Sequence, residues 1–161
     1  MAPRAPLALP PLRSRIVCRV DAELEPPLEW APTAAGQRRV IGLAGGTFDG
    51  PLMSGEILPG GADWQILQPD GTAIVEARYT LRERHAGDLI LVNSQGVRTG
   101  PPEVLEALRR GETRDPDEYY FRTAVTLEAG PGDYAWVNQA LFVAVAARGP
   151  ASVVYDLHQI L

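Results

Sequence analysis

The sequence predicts an all-β fold: a single antiparallel meander barrel with one short helix near residues 101–110. Three observations carry that prediction. Apolar and polar residues alternate with a period of two in segment after segment, the mark of strands with one buried face. Glycine, proline and aspartate stand at nearly every break, where tight hairpin turns need them. Only one stretch has helical spacing. Closure into a barrel follows from the length of the meander, because a closed sheet leaves no unpaired edge.

The proline-rich residues 1–12 read as an extended N-terminal segment, and 13–161 as one barrel domain. In the first strand Arg15, Val17 and Arg19 alternate with Ile16, Cys18 and Val20, and the segment EPPLEWAPTAAG ends it. A second strand over Arg38–Leu43 meets a Gly45-Gly46 turn; Pro51–Leu58 supplies a third strand and Ala62–Leu67 a fourth. The Pro69-Asp70-Gly71 turn leads into a strand over Thr72–Leu81. Further strands are predicted over Asp88–Ser94, Tyr119–Glu128, Tyr134–Ala147 and Ser152–Ile160. The helix over Pro101–Arg110 opens on proline, places Val104, Leu105 and Leu108 on one face, and ends on two arginines before Gly111.

With 161 residues, 45% of them hydrophobic and 22% charged, the chain can bury the core of one domain without disulfide or metal. A net charge of −5 weighs against nucleic acid as a partner, since phosphate binding needs clustered cations, and the absence of lysine among the fifteen cations suits a high-GC codon bias. Cys18 lies in a strand pattern and reads as a buried small hydrophobe, not a nucleophile. No apolar run forms a signal-peptide core or reaches the roughly 20 residues of a membrane span. A cytoplasmic protein with no membrane partner is therefore expected. His85 and His158 lack partners at ligand spacing, so no metal site is expected. The chain has no G-x-S-x-G elbow, phosphate loop or H-E-x-x-H. What remains is cofactor-free acid–base chemistry in a cavity, or binding without chemistry.

Candidate site residues follow from strand alternation. In AIVEARYTL, Glu76 and Arg78 share a face with Ile74 and Thr80, while Val75, Ala77, Tyr79 and Leu81 share the other. Glu76 and Arg78 are either a solvated pair or two groups on one lumenal wall. In YAWVNQALFVAVAA, Tyr134, Trp136 and Asn138 fall on one face of a strand, as an aromatic shelf beside a pocket or as a packed tryptophan with a structural amide. In YYFRTAVTLE, Tyr120 and Arg122 share a face; a buried Arg122 needs a carboxylate such as Glu76 or Asp63, or an anionic substrate, whereas an exposed one sits beside Glu128. The run GGTFDGPLMSGEILPGGADW at 45–64 aims Asp63 and Trp64 at a barrel mouth, unless Asp63 merely caps its own turn. His85 is a loop histidine and a reserve general base.

Seven ordered segments, GGTFDGPLMSG, ILPGGADWQ, Asp70-Gly71, ARYTL, YYFRT, YAWVN and LFVAV, resemble uncharacterised protein family 0311 and its unknown-function domain 3237 over about Leu9–Leu161. The resemblance implies a small barrel of calycin or allene-oxide-cyclase type, homo-oligomers and small organic substrates. Carried over to this chain, the family's polar sites fall on Asp63, Trp64, Arg78, Tyr120, Arg122, Trp136 and Asn138. Two positions depart from the pattern. His85-Ala86-Gly87 stands where an acidic residue and glycine are usual, and Leu127 replaces a common phenylalanine.

The resulting expectation is a cofactor-independent isomerase, cyclase or lyase that moves a proton next to a carbonyl inside the barrel. Asp63 or Glu76 is the expected base, Arg78 and Arg122 stabilise the enolate, Tyr120 donates a proton, and Trp64, Trp136 and Asn138 hold the small organic molecule. The rival expectations are a non-catalytic carrier of a small hydrophobic ligand and a structural homo-oligomer whose lumen is filled by side chains.

Overall fold

A computed structural model describes residues 7–161; the first half of the predicted N-terminal segment lies outside the described residues. Ten strands form one antiparallel sheet: β1 (Ser14–Leu24), β2 (Leu28–Glu29), β3 (Gln37–Asp49), β4 (Gly55–Ile57), β5 (Ala62–Leu67), β6 (Ala73–Glu83), β7 (Leu89–Thr99), β8 (Tyr120–Ala129), β9 (Phe142–Arg148) and β10 (Ser152–Ile160). Helix α1 (Pro102–Arg109) follows β7, and 3₁₀ turns occupy Pro116–Glu118 and Ala135–Gln139. Strand β1 pairs with both β10 and β3, which closes the sheet. The closed barrel has eight strand positions, because β4 and β5 share one position between β3 and β6 and the two-residue β2, paired only with β3, adds none. Among the described residues no helix is long and apolar enough to cross a membrane.

Two elements differ from the sequence-based expectation. Gly45-Gly46 is not a turn: β3 runs through it from Gln37 to Asp49. Both glycines have positive φ, 154° and 134°, and a Cβ on Gly46 would lie 2.1 Å from the Asp21 carbonyl oxygen of β1. The pair therefore bends a long strand where β1 approaches most closely, beside the Pro59-Gly60-Gly61 break between β4 and β5. Such local kinks let a sheet curve into a barrel. The chain reverses instead between Asp49 and Gly55.

The predicted strand over Tyr134–Ala147 is also broken. Its first part is a 3₁₀ turn, with the Val137 amide donating to the Tyr134 carbonyl at 3.1 Å, and β9 begins only at Phe142. The turn drives Val137 into the core, where it is fully buried. Other boundaries moved less; β5 and β10 match the expected spans.

The interior is divided. Phe48, Leu81, Ile90, Val125, Phe142 and Leu157, each at most 2% exposed, fill one end of the barrel. Burial of six such side chains gives on the order of 10 kcal/mol of transfer free energy before entropic costs. The other end, bounded by the late part of β1 and β7, the early part of β3, β6 and β8, and β5, retains a cavity. Cys18 lies on β1 in the filled part, and burial, reinforced by Asp156 and Asp49, pushes its thiol up to about 12. It is the inert core residue that its strand pattern suggested.

Two outcomes follow from this packing. Gly46→Ala is expected to cost about 2 kcal/mol or more in chemical denaturation, from the clash with Asp21 and the positive φ combined. In the native protein Cys18 should fail to react with a soluble disulfide reagent and should react at once after unfolding, as followed by thiolate release.

Candidate functional site in the barrel lumen

Alternation places Ala22 and Leu24 of β1, Ile41 and Leu43 of β3, and Val75, Ala77 and Tyr79 of β6 on the lumenal face. The cavity they line leaves about 60 Å³ for the centres of water-sized spheres, room for several waters at roughly 10–15 Å³ each. The lumen is thus not completely filled by side chains. Its wall is mostly apolar, and its polar groups are few and grouped.

Asp63 is central to that group. It projects inward from β5, directly opposite Ala77 of β6. One carboxylate oxygen accepts from the Glu76 backbone amide at 3.1 Å, and the other accepts from the Gln65 side-chain amide. Gln65 in turn accepts from Arg39 Nε at 2.6 Å. Arg39 and Gln65 are 5% and 3% exposed, so this relay from guanidinium through amide to carboxylate is held inside the protein. Burial raises the Asp63 carboxyl above the ordinary aspartate range; hydrogen bonds from Gln65 and Glu76 and the fields of Arg98 and Arg39 oppose that rise without cancelling it.

Two further arginines line the same cavity. Arg98, from the end of β7, is 4% exposed, and its Nε is buried without a hydrogen-bond partner among the described residues. Its guanidinium carbon stands 5.8 Å from the centroid of the Phe121 ring. Burial, then repulsion from Arg39 and Arg148, lowers it to about 10, so it remains a cation at neutral pH. Arg148, at the end of β9, donates from Nη1 to the Ser152 carbonyl at 2.9 Å. Deeper in the lumen the Tyr79 and Tyr155 hydroxyls touch, and Ser94 Oγ donates to Thr123 Oγ1 at 2.8 Å. Burial raises both phenols, so each keeps its proton at neutral pH. Among the described residues no group of three His, Cys, Asp or Glu side chains could hold a metal ion.

Of the residues singled out from the sequence, Asp63 alone lines the lumen. Glu76 and Arg78 are exposed on the outer face of β6, because that strand turns Val75, Ala77 and Tyr79 inward. Tyr120 and Arg122 occupy the outer face of β8. There Arg122 lies 5.3 Å over the Tyr120 ring and donates to the Phe121 carbonyl at 2.9 Å. Trp64 is 51% exposed and stands 6.0 Å from Trp30, outside the barrel. Trp136 packs 5.9 Å from Phe142 with Arg15 over its other neighbourhood, and Asn138 makes a two-way bond to the Ala129 amide and carbonyl, at 3.0 and 2.9 Å. Asn138 thereby ties the 3₁₀ turn to the end of β8. His85 sits in the β6–β7 turn, away from the lumen.

The lumenal arginines were missed for a simple reason. The strand predicted over Asp88–Ser94 stops short of Arg98 and so hides the series Ile90, Val92, Ser94 and Arg98, although β7 runs on to Thr99. Starting the second strand at Arg38 included Arg39, but its alternation with Ile41 and Leu43 went unused.

Comparison with known proteins places this barrel. A family model described as a protein of unknown function (DUF3237) matches residues 12–160. The chain belongs to that family. Among DUF3237 relatives, the UPF0311 protein RPA1785 of Rhodopseudomonas palustris is 40% identical over 152 residues, covering 94% of this chain and 99% of the relative. The crystal structure of that conserved protein of unknown function superimposes with a TM-score of 0.88, covering 96% of this chain and all (100%) of that one at 39% identity. A β-barrel-like protein from Acinetobacter baumannii gives a TM-score of 0.84 at 36% identity, covering 96% of this chain and 99% of its own. A protein from Penicillium herquei described as an enzyme shares the fold, with a TM-score of 0.72 at 18% identity and coverage of 98% of this chain and 100% of that one. The DUF3237 barrel of this chain is therefore a shared architecture, while its site chemistry rests on its own residues.

The raised Asp63 carboxyl carries a defined sign. Below the unfolded-state value near 3.8 both states hold the proton and no penalty exists. As pH rises through that value the unfolded chain loses its proton first, so stability falls until the folded carboxyl also ionises. Melting temperatures of wild type and Asp63→Asn should accordingly shift in favour of the variant as pH increases through this window. A constant difference across the window would contradict the buried, desolvated carboxylate.

Proposed function

We propose that the lumen is an active site for cofactor-independent proton transfer on a small, partly apolar oxygenated compound. The observation that carries this reading is Asp63: a carboxylate in a largely apolar chamber, its proton affinity raised by burial, with the neutral Tyr79 phenol on the neighbouring strand and that of Tyr155 across the lumen. A carboxyl raised by burial is a stronger base than an ordinary aspartate. Tyr79 lies two residues beyond Ala77, the cross-strand partner of Asp63, on the same inward face.

In this scheme Asp63 takes a proton from the carbon next to a carbonyl and becomes a carboxylic acid. The substrate becomes an enolate, whose oxygen receives a hydrogen bond from the Tyr79–Tyr155 pair. Return of the proton from Asp63 to a different carbon of a conjugated enolate completes an isomerisation; in a lyase reaction the enolate re-forms the carbonyl and expels the β-substituent with its bonding electrons, and the Asp63 proton passes to that leaving group. The base and proton donor thus move inward relative to the sequence-based expectation: Asp63 remains, and Tyr79 with Tyr155 takes the role that Tyr120 held. The description of the Penicillium herquei barrel as an enzyme accords with chemistry on this fold without supplying the reaction.

The test is incubation of the purified chain with small enones and lactones, followed by mass analysis of recovered compounds. A transformed compound is expected. Asp63→Asn should lower its turnover roughly 100- to 10,000-fold, and Tyr155→Phe should lower it by less while preserving the melting temperature. Compounds recovered unchanged but bound would instead identify a carrier, and full turnover in Asp63→Asn would remove Asp63 from the mechanism.

A further inference from the structure

We infer that the lumenal ligand is a small organic monocarboxylate whose carboxylate is received by Arg98. This deepens the reading of the lumen as the functional site and rests on it. Four observations carry it. Arg98 faces the cavity, is 4% exposed, and keeps its Nε buried without a hydrogen-bond partner among the described residues. A buried guanidinium nitrogen is ordinarily paired, and the Phe121 ring 5.8 Å away offers a π face but no acceptor in the guanidinium plane.

The protein's own anion is already engaged. Asp63 spends its two oxygens on the Gln65 side chain and the Glu76 amide, and Arg39 spends Nε on Gln65. Arg148 donates to the Ser152 carbonyl. Three cations thus surround one lumenal carboxylate, and their mutual repulsion is part of what lowers Arg98. An arriving anion relieves that repulsion and gives Arg98 its missing acceptor. A planar carboxylate matches the guanidinium fork with two parallel hydrogen bonds.

The remaining observations select a monocarboxylate over phosphate. Ile41, Leu43, Val75, Phe121, Ala146 and Val153 make most of the cavity wall apolar, which suits a hydrocarbon body and not the hydrated faces of a phosphate dianion. A second negative charge would also stand near Asp63. The cavity, with about 60 Å³ open to the centres of water-sized spheres, suits a compact body.

Isothermal titration calorimetry of the full chain at neutral pH with crotonate, its near-isosteric amide crotonamide, and inorganic phosphate tests the assignment. Crotonate should bind at least about tenfold more tightly than crotonamide, the advantage of one charge-assisted hydrogen-bond pair, and more tightly than phosphate. Arg98→Met should abolish the preference for the acid while its circular dichroism matches wild type. Should that variant fail to fold, Arg98→Lys, which keeps the charge and loses the fork, should narrow the ratio. Equal affinity for acid and amide, tighter binding of the amide or phosphate, no binding of either crotonate or crotonamide, or a ratio untouched by substitution at Arg98 overturns the inference. The readout is independent of turnover. A neutral enone transformed without any acid preference leaves the enzymatic reading standing and removes this one; crotonate bound selectively with nothing transformed does the reverse.

Discussion

Closure of the sheet through β1 is the constraint on which the rest of the molecule depends. Because β1 pairs with β10 along one edge and with β3 along the other, every strand of the ring has an inside and an outside. Asp63, Arg98 and Arg148 then meet in one chamber, with Arg39 joined to it through Gln65, although the four come from four separate strands. The bends at Gly45-Gly46 and Pro59-Gly60-Gly61 are part of the same constraint. They absorb the curvature that closing a small barrel imposes, so that flanking strands keep regular pairing.

The division of the interior follows from size and charge. Large apolar side chains, almost wholly buried, fill one end, and they supply the stability that the other end lacks. The open end contains Ala22, Ala77, Ala144 and Ala146, side chains too small to meet across it. Into that space project charged groups whose burial is costly. Their cost is offset in part by the relay from Arg39 through Gln65 to one Asp63 oxygen and by the Glu76 backbone amide on the other. A buried network only partly satisfied is a common place for function, because ligand binding can complete what folding left incomplete.

The outer face behaves differently. Arg19 with Asp156, Arg82 with Glu56, and Arg109 with Glu106 form ion pairs in solvent, where such pairs contribute little. Glu76, Arg78 and Arg122 belong to this solvated layer. Trp64 beside Trp30, and Asn138 bonded to Ala129, hold loops and turns in place outside the lumen. A residue type that suits catalysis therefore serves structure equally well once it faces outward.

Much of the fold was legible in the sequence. Period-two alternation and Gly-Pro-Asp breaks located β5 and β10 at their ends and α1 within a residue, since local turn chemistry decides those boundaries. Alternation also showed that Glu76 and Val75 lie on opposite faces of one strand. It did not say which face is inside, because a period of two defines two sides without a sign. That sign came from closure, which turned Val75, Ala77 and Tyr79 inward and Glu76 and Arg78 outward. The 3₁₀ turn around Val137 was invisible for a related reason: an apolar run fits a strand or a plug, and only the closed barrel, which gives Val137 a core to enter, distinguished them. The sequence by itself determined an all-β chain, the Pro69-Asp70-Gly71 turn and a buried Cys18, and it left Asp63 either reaching inward or capping its own turn. Tertiary structure alone decided the company Asp63 keeps, because residues up to 109 positions apart in the chain, Arg39 to Arg148, come together only when the barrel closes.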